Sequence, residues 1–126
     1  MTSADKDAAP ANRDADAREP LESPPAPHPR HELDELLTHA VRLSVVAALH
    51  GMERVEFALV RDTVQVSDSM LSKQVALLEN AGYVEVEKGK VGRRPRTWLS
   101  LSADGDRAFA RHVAALQAIA TGFLPT

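Results

Sequence analysis

Hydrophobic positions along this chain recur at two spacings, helical and alternating. From His31 to His50, Leu33, Leu36, Leu37, Ala40, Val41, Ser44, Val45, Ala48 and Leu49 fall at helical spacing, which predicts a first long helix closed by Gly51. Glu53-Arg-Val-Glu-Phe57 reads as a short extended piece. Phe57 to Val64 reads as a second helix with Phe57, Leu59, Val60 and Val64 as its apolar set, and the turn Val64-Gln-Val-Ser67 leads into a third. On a wheel of about 100° per residue, Met70, Leu71, Val75, Leu77 and Leu78 of that third helix fall on one side. Ser69, Ser72, Lys73, Ala76, Glu79 and Asn80 fall on the other.

Tyr83-Val-Glu-Val-Glu-Lys88 alternates like a strand, and Thr97-Trp-Leu-Ser-Leu101 alternates again. Between them, Gly89-Lys-Val-Gly-Arg-Arg-Pro-Arg96 reads as a basic loop whose two glycines allow tight turning. The alternation puts Trp98 with Ser100 on one face, and core packing is the expectation for the indole. A last helix begins after Ser102, with Phe109, Val113, Leu116 and Ala120 as its stripe and Ala110, Ile119 and Phe123 broadening it.

The helix ends carry their own signals. Ser67 is placed to accept from free N–H groups at the start of the third helix, and Asp68 suits the positive end of its dipole. Gly82 stops that helix, since glycine tolerates the left-handed cap conformation. Ser102, Asp104 and Asp106 do the same work for the last helix.

Residues 1–30 differ in kind: they hold six of the eight prolines and almost no large apolar side chain, too little to offset the entropy of ordering. They are expected to be a disordered tail, with 31–126 as the folded domain. A partner-binding role for the proline-rich stretch Pro24-Pro-Ala-Pro27 is the functional alternative to a bland leader.

Helix, turn, helix, strand, basic loop, strand is the order of a winged helix: mainly α with a small β-hairpin wing (α+β). Ser72-Lys-Gln-Val-Ala-Leu-Leu-Glu-Asn-Ala-Gly-Tyr-Val84 resembles the S-x-x-[LV]-x-x-L-x-x-x-G-[LY]-[VI] signature of bacterial winged helix-turn-helix transcriptional regulators of the MarR and ArsR type. The basic loop and Leu101-Ser-Ala-Asp-Gly105 resemble the MarR wing and its L-T-x-x-G helix start. His39-Ala-Val-Arg-Leu-Ser-Val-Val-Ala-Ala-Leu49 is similar to the h-P-x-R-x-x-I-L-x-x-L helix of ArsR-type domains, with Ala40 in place of the family proline. The resemblance covers roughly Leu33 to Ala120, and under it Arg42 is a structural residue rather than a base reader.

Charge changes this picture only locally. The net charge of −3 is not that of a bulk nucleic-acid binder. From Lys88 to Arg96, however, there are five bases (Lys88, Lys90, Arg93, Arg94, Arg96) and no acid, so the electrostatic argument rests on that loop. A solubilising charged hairpin is the plain alternative. The chain has no cysteine, which removes disulfides and thiolate metal sites. It shows no long apolar run and no signal-peptide core, so a cytoplasmic location without membrane contact is expected.

Catalytic patterns are absent: there is no Gly-rich phosphate loop after a strand, no Gly-x-Ser-x-Gly and no His-Glu-x-x-His. His31 and His39 are too far apart along one helix to share a metal, and Asp104, Asp106 and His112 form no matching ligand set. No enzyme activity, no metal and no cofactor are therefore expected.

The resemblance implies a homodimeric, sequence-specific DNA-binding regulator. Ser67, Ser69, Ser72, Lys73 and Gln74 would face the major groove, Gln74 from the border of the apolar side. Lys88, Lys90, Arg93, Arg94 and Arg96 would hold backbone or minor groove. The first and last helices would form the dimer seam, as a reader of palindromic DNA requires, and a small-molecule effector of unknown identity would fit the same scheme. A protein-interaction adaptor or anti-repressor on the same fold, without DNA binding, is the alternative.

Overall fold

The computed structural model describes residues 26–122. The order is α1 (Ala40–Leu49), β1 (Val55–Glu56), α2 (Phe57–Val64), α3 (Asp68–Asn80), β2 (Val84–Val91), β3 (Arg94–Leu101) and α4 (Ala103–Ala120), preceded by two 3-10 turns, Pro29–Glu32 and Glu35–Thr38. The three strands form one antiparallel sheet in the order β1-β3-β2. This is the expected winged helix. The expected tail falls mostly on residues 1–25, and Phe123 on residues 123–126, both outside the described range. Pro29–Glu32, at the expected boundary, packs against α4.

Leu37, Val45, Val46, Leu49, Val60, Leu71, Leu78 and Leu99 are sealed from solvent and bring α1, α2, α3 and the sheet onto one core. Truncating any of these leucines to alanine costs about 2–5 kcal/mol in a core of this kind.

The first helix is shorter than its periodicity predicts. Asp34 breaks it: its Oδ1 accepts from the Leu36 N–H at 2.9 Å, and its Oδ2 accepts from the Tyr83 hydroxyl at 2.5 Å. His39 breaks it again, its Nδ1 accepting from the Val41 N–H at 3.2 Å and so capping α1. Arg42 is structural, as expected, donating from Nε to the Leu36 carbonyl at 2.6 Å.

The second helix runs from Phe57 to Val64 as its pattern predicts. Gln65 ends it in the left-handed region at φ 65° and turns the chain toward α3. Ser67 caps α3, its Oγ accepting from the Met70 N–H at 3.1 Å, a contribution of about 1 kcal/mol. Gly82 at φ 79° closes it, and the Tyr83 N–H returns to the Leu78 carbonyl at 2.9 Å.

The basic segment is not a loop. β2 and β3 pair all the way to Val91↔Arg94, leaving only Gly92 and Arg93 as the turn. Gly92, at φ 64°, supplies the positive angle that such a two-residue turn needs at its first position. Gly89, expected as a turn residue, lies within β2, where a Cβ would stand 3.1 Å from Cζ3 of Trp98. Trp98 lies on the outer face of the sheet rather than in the core. Its cross-strand neighbours are Glu56 and Glu87, and the Arg54 guanidinium sits 4.4 Å from a ring centroid.

Ser102 caps α4, its Oγ accepting from the Gly105 N–H at 3.0 Å while donating to the Gly82 carbonyl at 2.5 Å. The buried face of α4 is Gly105, Ala108, His112 and Ala115. The expected stripe of Phe109, Val113, Leu116 and Ala120 lies alongside it, with Phe109 against the core and Leu116 still exposed.

Candidate nucleic-acid interface

Leu71, Gln74, Val75 and Leu78 define the inner side of α3. Its outer side therefore presents Ser69, Ser72, Lys73 and Ala76, as the wheel predicts, all exposed to solvent. Two apolar residues change sides. Met70 and Leu77, expected inside, are 39% and 40% exposed on one flank of the outer face.

Gln74 moves the other way. It is 3% exposed, and its Oε1 accepts from Arg42 Nη1 at 2.8 Å. A guanidinium donor from α1 thus draws a borderline polar residue into the interior, and the amide is not offered to a groove. Ser67 Oγ is occupied as the helix cap and lies 3.2 Å from Ser69 Oγ.

Asp68 opens α3 at the positive end of its dipole. Arg61 of α2 answers it, with Nη1 at 2.9 Å from Asp68 Oδ1 and Nε at 2.9 Å from Asp62 Oδ1. The hydrogen bonds from Asp62 and then Asp68 push the Arg61 pKa upward, so the guanidinium stays charged and the carboxylate at the helix start stays paired.

Strand alternation divides the basic residues of the wing between two faces. Lys88 pairs with Thr97 and Lys90 with Pro95 on the face shared with Val86 and Leu99, which is the face toward α3. Arg94 pairs with Val91, and Arg96 with Gly89, on the opposite face beside Trp98. Arg96 folds back onto β1, its Nε 3.1 Å from Glu56 Oε2. Likewise Arg54 takes up Glu87 at 3.1 Å. Among the described residues Lys88, Lys90, Arg93 and Arg94 form no ion pair, although Asp68 and Glu79 line the groove that Lys88 borders. The hairpin end therefore carries cations without an ion pair, while Arg96 ties the hairpin to β1 through Glu56.

A groove of about 440 Å³ separates α3 from the sheet. Val75, Val86 and Leu99 are among its lining, and Ser72 of α3 and Lys88 of the wing both border it. The outer face of α3 and the inner face of the hairpin thus meet along one surface. Within the described residues, no group of three His, Asp or Glu is placed to hold a metal ion, and no helix is long and apolar enough to cross a membrane.

Sequence reasoning missed the exposure of Met70 and the ion pairs of Arg61 and Arg54. For Arg61, the signal was available: an arginine six residues before the cap and seven before Asp68. For Met70, none was: the helical wheel places it with the apolar set.

The sequence model of the winged helix DNA-binding domain matches residues 41–120. The uncharacterized protein MJ0432 of Methanocaldococcus jannaschii is 27% identical over 79 residues, 63% of this chain and 86% of that protein. A transcriptional regulator homologue from Pyrococcus horikoshii OT3 superposes with a TM-score of 0.65 at 24% identity, covering 70% of this chain and 87% of that one. A MarR-family regulator of Porphyromonas gingivalis W83 superposes with a TM-score of 0.58 at 12% identity, covering 84% of this chain and all (100%) of that one. With its capped third helix and antiparallel wing, this chain belongs to the winged helix DNA-binding domain family and has the fold of MarR-type regulators.

Proposed function

We propose that this chain is a homodimeric, sequence-specific transcriptional regulator. The observation that carries the proposal is that α3 exposes Ser67, Ser69, Ser72 and Lys73 while Ser72 and the wing residue Lys88 border one groove, beside a hairpin end whose lysines and arginines form no ion pair. Ser67, Ser69, Ser72 and Lys73 enter the major groove. Lys88, Lys90, Arg93 and Arg94 hold phosphates or reach into the neighbouring minor groove. Gln74 and Arg96 support the two elements from behind.

The apolar flank of α4 supports the dimer. Val113 and Leu116 retain exposed surface in a single chain, and pairing about a two-fold axis would cover them while setting two copies of α3 for successive half-sites. A small-molecule effector belongs to the same reading. The groove between α3 and the sheet has an apolar floor and polar rim, and a ligand there would compete with DNA for one surface. The protein so described works in the cytoplasm.

Selection of duplexes by the full chain from a randomised pool tests the proposal. Enrichment of an inverted repeat with half-sites about one helical turn apart is expected. A pool that stays random after repeated rounds would overturn the proposal in favour of a protein-binding adaptor.

A further inference from the structure

We propose that Met70 reads the 5-methyl group of a thymine in the major groove, and that Gln74, held by Arg42, positions it. The inference rests on the DNA-binding reading above and names a feature of the sequence that is read.

Met70 sits on the first turn of α3, between Ser69 and the outward-facing Lys73, and it is 39% exposed. Residues at the start of a recognition helix are those that reach base edges. Hydroxyls and ammonium groups there can bond several bases or a phosphate. A thioether side chain has one complementary apolar feature in the major groove, the thymine methyl. Leu77 is equally exposed at 40%, but it stands two turns further along α3 and away from that end.

The second observation is a tether. Methionine carries three rotatable side-chain bonds and ordinarily adapts to whatever it meets, which makes it a poor reader. Here the Met70 sulfur accepts from Gln74 Nε2 at 3.4 Å. Gln74 is in turn fixed by Arg42 Nη1 at 2.8 Å, and Arg42 is fixed by the Leu36 carbonyl at 2.6 Å. A relay from α1 through the interior thus ends on an exposed apolar side chain. Gln74 spends both ends of its amide inside the protein, so its contribution to recognition runs through Met70.

Replacing thymine by deoxyuridine removes the methyl and leaves every hydrogen-bonding group in place. Each thymine of the duplex selected by the full chain is replaced in turn, and binding is followed by fluorescence anisotropy. At one position in each half-site, the unaltered protein should lose about fourfold in affinity, the worth of one buried methyl group. Met70→Ala, or Met70→Gln if the alanine variant folds poorly, should bind the two duplexes equally. Gln74→Leu should lower the thymine-to-deoxyuridine ratio, whereas Arg93→Ala should weaken both duplexes and leave the ratio unchanged. A specific duplex whose binding ignores deoxyuridine everywhere, or a Met70 variant that keeps the penalty, overturns the inference alone. A pool that yields no specific duplex overturns the DNA-binding reading and this inference together.

Discussion

The backbone N–H of Asp34 donates to Nδ1 of His112 at 2.9 Å, joining positions 78 apart in the chain. His112 is 1% exposed, and burial pushes its pKa below the ordinary value of 6.5, against the opposing pull of the Asp34 carboxylate and the Leu37 backbone. The bond requires Nδ1 to be unprotonated. Asp34 is itself held by the Tyr83 hydroxyl, so the ring ties α4 to the entry of α1 and to the root of β2.

A pH dependence of stability follows. Below about 6.5, the unfolded chain takes up a proton at His112 that the folded chain refuses. The contribution is fully present above that pH and is lost as pH falls toward the lowered folded value. Urea unfolding at a series of pH values should show stability declining below pH 6.5, with a shallower decline in His112→Gln, whose amide oxygen can still accept from Asp34. His112→Ala leaves that N–H unsatisfied, at a cost of about 1–3 kcal/mol before any cavity is counted. Identical pH profiles for the unaltered chain and His112→Gln would refute this assignment.

Gly105 lies where α4 crosses the start of β2. A Cβ there would stand 2.3 Å from the Tyr83 carbonyl oxygen and 2.8 Å from Leu101 Cδ1. Backbone cannot yield as a flexible side chain does, so Gly105→Ala should destabilise by about 1–3 kcal/mol despite alanine's better helix propensity. Thermal melting should fall by roughly 4–8 °C per kcal/mol in a domain of this size. An unchanged or raised melting temperature would show that α4 can slide away from β2.

Local signals in the sequence were enough for α2, for the start and end of α3, and for the cap of α4. Ser67, Gly82 and Ser102 act on backbone groups within a few residues of themselves, so spacing alone reveals them. The errors share a physical cause. Asp34 leaves the helical pattern because of Tyr83 and His112, which are 49 and 78 positions away. Gln74 is drawn inward by Arg42, 32 positions away, and Met70 comes outward on the same helix. The wing read as a loop because lysine, glycine and proline hide a strand that is held by cross-strand register rather than by side-chain propensity. At the candidate interface, the residue types were legible from the sequence, but their division between two sheet faces came only from that register.

The proposed dimer can be tested on α4. Leu116 is 38% exposed, and its neighbours Phe109 and Val113 are part-covered. Leu116→Asp should leave the fold intact, since the side chain is not in the core, and should shift the sedimentation of the full chain from dimer toward monomer. Binding to a palindromic duplex should weaken in parallel, because two half-sites are no longer engaged together. A variant that sediments as a dimer would remove α4 from the pairing surface, and an unaltered chain that sediments as a monomer would refute the proposed dimer.

The salt dependence of binding to the selected duplex probes the DNA interface most directly. Each phosphate neutralised contributes about −0.9 to the slope of log K against log salt. Arg93→Glu with Arg94→Glu should lower affinity for all duplexes and flatten the slope by roughly two contacts per protomer. Arg96→Ala removes a guanidinium already paired with Glu56 and should leave the slope unchanged. Equal affinity and equal slope for the unaltered chain and the charge-reversed wing would contradict the account and remove the hairpin from the interface.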